Sequence, residues 1–217
     1  MTLTGKNRRP SPRALLVHGM GRTPASMVVL ATRLFRAGMR SSLFGYLSAL
    51  ESYDAIVARL SKRIAVIAAQ GPYIAVGHSL GGLLLRSALD RVAGDLPRPI
   101  RLFMLATPNR PPRLAHWIGG NFFYRLYTGD SGQLLADHDR MAAIPKPPSS
   151  YTIIAGVGGS RGDWSPFRGT PNDWIVGLDE VTVANGEDLI TVPSGHTFLM
   201  SRKEVARAII ERVATRR

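Results

Sequence analysis

The sequence predicts an α/β fold, a mainly parallel sheet of about six strands with helices on both faces, in a single domain spanning residues 1–217. Three observations carry this expectation. Short apolar runs rich in Val, Ile and Leu alternate with amphipathic stretches of helical period, as strands buried on both faces and joined by crossover helices require. The chain has 217 residues, 45% of them hydrophobic, enough for one substantial core. Breaks such as Gln70-Gly71-Pro72 punctuate the runs where the period changes.

In chain order, Ala14-Leu15-Leu16-Val17 is a short buried strand. A helix follows that Thr23 caps and Pro24 begins, with Val28, Ala31, Leu34 and Phe35 inward and Gly38 at its end. Ser41 to Tyr46 reads as a strand, and Tyr53 to Ala69 as a helix with Ile56, Leu60, Ile64 and Ile67 on one face. Pro72 to Val76 is the third strand and Leu83 to Val92 the next helix. Ile100 to Ala106, Tyr151 to Ala155 and Asp188 to Val192 complete the strands. Ser201 with Glu204 forms a capping-box signature for the last helix, where Val205, Ile209 and Val213 recur on one side. Two segments break the alternation: 108–150, rich in proline and aromatics, and 156–172, rich in glycine, serine and arginine. Long connections at the carboxyl edge of a sheet are where binding is done, so 108–150 is expected to line the cleft.

Composition narrows the function classes. No cysteine is present, which excludes disulfides, thiolate metal sites and a cysteine nucleophile. Residues 1–12 form a basic tail with no apolar signal core behind it, so a cytoplasmic location is expected. No apolar run approaches the ~20 residues of a membrane helix. The net charge of +13 would suit nucleic acid, but the basic residues are mostly arginines scattered from Arg8 to Arg217 rather than a stripe with interleaved aromatics. Nucleic acid is therefore not expected as a partner, and weak contact with an anionic membrane stays open.

The strongest chemical statement is Gly77-His78-Ser79-Leu80-Gly81-Gly82, set between an apolar strand and a helical apolar run. Glycines at 77 and 81 allow a sharp strand-to-helix turn that lifts the Ser79 hydroxyl above the sheet. The amide of Leu80, in the first turn of the helix, would face the same pocket as half of an oxyanion hole. His18-Gly19-Met20-Gly21 ends the first strand and could lend the amide of Met20 as the second donor.

A serine hydroxyl needs a base to remove its proton and a third group to orient that base. Of the histidines His18, His78, His116, His138 and His196, the last is preferred, because Gly195-His196-Thr197 follows the final strand on a loop at the catalytic edge. The order Ser, acid, His leaves Asp163, Asp173, Asp179, Glu180, Glu187 and Asp188 as candidate acids. Asp173 is preferred because it opens an apolar segment at a turn, with Asp163 its competitor.

With Leu105-Ala106-Thr107-Pro108-Asn109 and Asn172-Asp173-Trp174-Ile175-Val176, these motifs resemble the α/β-hydrolase superfamily over nearly the whole chain, specifically small bacterial lipases and lipase-like hydrolases related to inositol deacylases. The resemblance implies ester hydrolysis through a serine acyl-enzyme, with an acyl ester or lipid as substrate and no cofactor. It also implies a minimal sheet without the two leading antiparallel strands or a separate cap, leaving a cleft walled by Met20, Phe122, Phe123, Trp174, Phe198 and Tyr127. Trp174, where Asp-Gly-x-Val is common, and Arg110 and Pro111, where His-Gly often follows, depart from the family pattern. An amidase, thioesterase or acyltransferase on the same three residues, or a non-catalytic basic module, are the alternatives.

Overall fold

The structure, a computed structural model, describes residues 11–114, 122–148, 150–183 and 188–215, with 122–128 described by backbone only. Six strands form one sheet: β1 (Arg13–Val17), β2 (Ser41–Phe44), β3 (Tyr73–His78), β4 (Leu102–Leu105), β5 (Tyr151–Gly156) and β6 (Leu189–Val192). Their order is β2-β1-β3-β4-β5-β6 and every pairing is parallel. All loops that follow a strand therefore leave from the same edge.

Side chains alternate across the sheet and feed two cores. Leu15, Val17, Ala75, Leu102 and Met104 pack with α2 (Tyr53–Ala68) and α3 (Leu80–Arg91) on one face. Ala14, Leu16, Ile74, Val76 and Phe103 pack on the other face with α1 (Val28–Arg36) and the last helix, Lys203–Ala214. β1, β3 and β4 sit between both layers, which is why their sequences read as unbroken apolar runs rather than alternating ones. In α2 the buried Ile56, Leu60, Ile64 and Ile67 follow the expected face, and the Ser52 side chain caps the helix by accepting from the Ala55 amide.

Several local expectations give way. Pro24–Met27 form a separate 3-10 turn before α1, and the Thr23 side chain makes no cap bond. That tighter turn rotates the helix that follows, so Met27, Leu30 and Leu34 are buried while Val28 and Phe35 are 47% and 64% exposed. Likewise His196–Ser201 form a 3-10 helix, Ser201 is spent in it, and Arg202 becomes the N-cap of the last helix, so the Ser201–Glu204 capping box does not form. α3 begins at Leu80, directly on the elbow, not at Leu83. The segment 108–150 carries helices of its own, α4 (Phe122–Ala136), kinked at Gly129, and α5 (His138–Ala142), followed later by the short α6 (Leu178–Val181) and by α7 (Lys203–Ala214). Among the described residues, no helix is long and apolar enough to cross a membrane.

Candidate active site

Ser79 stands at the junction of β3 and α3 with φ 53° and ψ −123°. A non-glycine residue held there stores about 1–3 kcal/mol of strain and persists only where its surroundings fix it. They do so on every side. The Ser79 amide donates to the Leu105 carbonyl of β4 at 2.8 Å and the Ser79 carbonyl accepts from the Gly82 amide at 3.0 Å. Leu80, Leu83, Leu84 and Leu85 are fully buried, each contributing about 1.5–3 kcal/mol by leaving water, so packing outweighs the strain. The glycines flanking the serine are required by close approach: a Cβ on Gly77 would lie 2.5 Å from the Gly82 nitrogen, and one on Gly81 2.5 Å from the carbonyl oxygens of Val17 and His18. The elbow thus presses against the end of β1, and a Cβ on Gly19 would lie 3.1 Å from Ser79 Cβ.

Asp173 and His196 arrive from the loops after β5 and β6. Asp173 is 1% exposed, and its Oδ1 accepts from the amides of Ile175 at 3.1 Å and Val176 at 2.7 Å. That turn leaves Oδ2 aimed at His196, whose Nδ1 lies 2.6 Å away. A second bond, from the His196 amide to the Asp173 carbonyl at 2.9 Å, locks the two loops backbone to backbone. With Nδ1 engaged by the carboxylate, Nε2 carries the lone pair of the neutral imidazole and is the atom available as a base.

His78 joins this pair to the elbow. Its Nε2 donates to the His196 carbonyl at 3.1 Å, and the two imidazoles lie 4.8 Å apart, centroid to centroid. Burial, reinforced by His196, holds the His78 pKa well below its ordinary value, so it is neutral. The Ser79 hydroxyl makes no hydrogen bond among the described residues, and Ser79 and His196 are related through this neighbour rather than by a direct bond. Catalytic hydrogen bonds often tighten only when substrate is bound.

The amides of Met20 and Leu80 have no acceptor among the described residues. Both belong to segments that meet the elbow, Met20 in the turn after β1 and Leu80 in the first turn of α3. Asp163, the competing acid, is exposed on an earlier turn of the same loop. Asp179 and Glu180 are engaged by Arg113, and Asp188 by Arg101 and Arg212. His18 is buried and stacked on Tyr46 at 4.2 Å, and burial lowers its pKa. His138 begins α5. His116 and Glu187 lie outside the described residues, as do the side chains of Phe122, Phe123 and Tyr127. Of the remaining expected cleft residues, Met20 is half-buried and packs against the core, whereas Trp174 and Phe198 are 51% and 65% exposed.

Sequence reasoning missed the scaffold of the acid loop. Asn172 is fully buried, its Nδ2 donates to the carbonyls of Ser160 and Thr170, and its Oδ1 accepts from the Trp174 amide at 3.0 Å. It holds Trp174 at φ 80°, a left-handed conformation rare for so bulky a residue. Arg86, 7% exposed, donates to the carbonyls of Ile144 and Pro145 and to Asn109 Oδ1, and so ties α3 to the segment 108–150. An arginine within the apolar run of α3 was the available signal; its partners were not readable.

No protein-family model and no curated protein matches the sequence. Solved structures do. An esterase from Exiguobacterium antarcticum superposes with a TM-score of 0.67 at 15% identity, over 94% of this chain and 92% of that one. A thioesterase from the prodiginine biosynthetic pathway of Streptomyces coelicolor gives 0.61 at 15% identity, over 94% and 85%. An extracellular α/β-hydrolase from a Paenibacillus species gives 0.57 at 14% identity, over 92% and 98%. The chain has the α/β-hydrolase fold.

Proposed function

We propose that the protein is a serine hydrolase that cleaves a carboxylic ester through an acyl-enzyme on Ser79. The observation that carries this reading is the 2.6 Å contact between buried Asp173 and His196 at the sheet edge from which the strained Ser79 projects. His196 Nε2 takes the Ser79 proton as Oγ attacks the ester carbonyl. Asp173 holds the imidazole by Nδ1 and stabilises its positive form. The tetrahedral oxyanion accepts from the amides of Met20 and Leu80, each such donor being worth about 3 kcal/mol in the transition state. The imidazolium then gives its proton to the leaving alcohol. Water, deprotonated by the same nitrogen, attacks the acyl-enzyme to release the acid and restore Ser79.

Labelling with a fluorophosphonate, which reacts rapidly only with an activated serine, tests the proposal. Stoichiometric modification at Ser79, lost in Ser79→Ala together with hydrolysis of p-nitrophenyl acetate, is the expected result. Hydrolysis surviving that substitution would end the reading.

A further inference from the structure

The loop after β5 holds an arrangement that the triad does not use. Residues 161–169 form a closed turn: the Gly169 amide donates to the Arg161 carbonyl at 3.1 Å, and the amides of Ser165 and Arg168 bond within it. Phe167 and Ser165 point inward and are 3% and 4% exposed, anchoring the turn. Trp164 at its tip is 75% exposed, between exposed Arg161 and Arg168. Its ring rests 6.3 Å from that of Trp174, which in turn would lie 3.4 Å from a Cβ on Gly195, beside His196.

Folding gains little from these two indoles, since both remain in water and Trp174 is held in a strained backbone. Phe198, 65% exposed, and Leu50, 81% exposed, follow β6 and β2 and so belong to the same edge of the all-parallel sheet. Two large indoles left exposed side by side mark a surface that something else covers.

The charge around it says what. Arg22, Arg110, Arg161 and Arg168 follow β1, β4 and β5, are exposed, and make no ion pair among the described residues. Most carboxylates of this edge are already taken: Glu51 by Arg59, Asp179 and Glu180 by Arg113, and Asp173 by His196. Asp163 is exposed and makes no ion pair among the described residues, and the same holds for Asp137 and Asp139 in the segment after β4. At the other end of the sheet Arg101 and Arg212 converge on Asp188, and exposed Arg13 and Arg40 also make no ion pair among the described residues, so what distinguishes the carboxyl edge is that its free arginines flank exposed indoles. Uncompensated arginines beside amphipathic aromatic side chains complement an anionic leaflet, where indole rings settle at headgroup depth and guanidinium groups meet phosphate.

We propose that the carboxyl edge of the sheet docks on an anionic lipid surface, with Trp164 inserted between Arg161 and Arg168 and the Ser79 cleft facing the leaflet. Sedimentation of full-length Ser79→Ala protein with vesicles of phosphatidylcholine, with and without phosphatidylglycerol, reads binding without turnover, so the outcome is independent of the hydrolase reading. Partition onto the anionic vesicles should exceed that onto neutral ones by on the order of tenfold or more, fall with added salt, and shift tryptophan emission to the blue. Trp164→Ala should remove part of the blue shift and weaken partition. Arg161→Gln with Arg168→Gln should weaken it more than Arg207→Gln, an exposed arginine on α7. Three results would overturn the proposal: equal partition onto neutral vesicles, an equal loss from Arg207→Gln, which would mean unspecific charge attraction, or Trp164→Ala raising KM for a soluble ester while vesicle binding stays intact, which would make the indole part of an acyl pocket.

Discussion

Around Ser79, position comes from packing: β3 and α3 are buried nearly throughout, and the elbow backbone lies against β1 with no room for a single methyl group. On the Asp173–His196 side, position comes from directed polar bonds. Two backbone amides hold one carboxylate oxygen, an imidazole takes the other, and the neighbouring Trp174, Ile175 and Phe198 stay exposed. The contrast teaches how a small sheet divides its labour. The strained Ser79 sits where many van der Waals contacts hold it, while Asp173 and His196 sit where hydrogen bonds set their orientation and solvent is close.

The largest expected effect tests the polar side. Asp173→Asn keeps an oxygen for the amides of Ile175 and Val176 but loses the charge that orients His196, and kcat for p-nitrophenyl acetate should fall by on the order of 10³–10⁴ with the fold retained. A loss under about tenfold would mean that the carboxylate merely pins its loop. On the packed side, Gly81→Ala should cost about 3 kcal/mol or more in urea unfolding, because the new methyl meets main-chain oxygens that cannot move aside. A near-neutral result would show the elbow to be looser than its packing implies.

The two ends of the sheet also separate by pH. His18 and His78, beside the elbow, have pKa values lowered by burial, so the unfolded chain binds protons that the folded protein refuses, and stability should decline as pH falls below about 6.5. Asp188, at the start of β6, is held below its ordinary value first by the hydrogen bond from Arg212, with help from Thr152 and Arg101. Its contribution is present above the unfolded value of 3.8 and is lost as pH falls through the folded one. Unfolding free energies measured in urea at steps from neutral to acid should show two breaks, the second smaller, since Asp188 is partly exposed and screened, and reduced further in Asp188→Asn.

What the sequence disclosed follows the same division. The elbow was readable because its demands are local: glycines at 77 and 81, an apolar strand before and an apolar helix after. The choice of Asp173 and His196 rested on chain order and on a turn next to apolar residues, and the fold brings these two together. The narrower likeness to inositol deacylases rests on motifs alone. What stayed hidden depends on distant partners or on small rotations. Nothing near His78 announces a bond to a carbonyl 118 residues away, nor does Arg86 reveal the carbonyls of Ile144 and Pro145. One 3-10 turn at Pro24–Met27 was enough to exchange Phe35 for Leu30 as a core residue.

Strand order adds a consequence for biosynthesis. β1, β2, β3 and β4 lie side by side and are made before β5 and β6, which are followed by the loops carrying Asp173 and His196 and occupy one flank. A nascent chain can therefore complete the packed surroundings of Ser79 before the Asp173–His196 pair exists. Under the proposed hydrolase reading, reactivity arrives only when that flank closes.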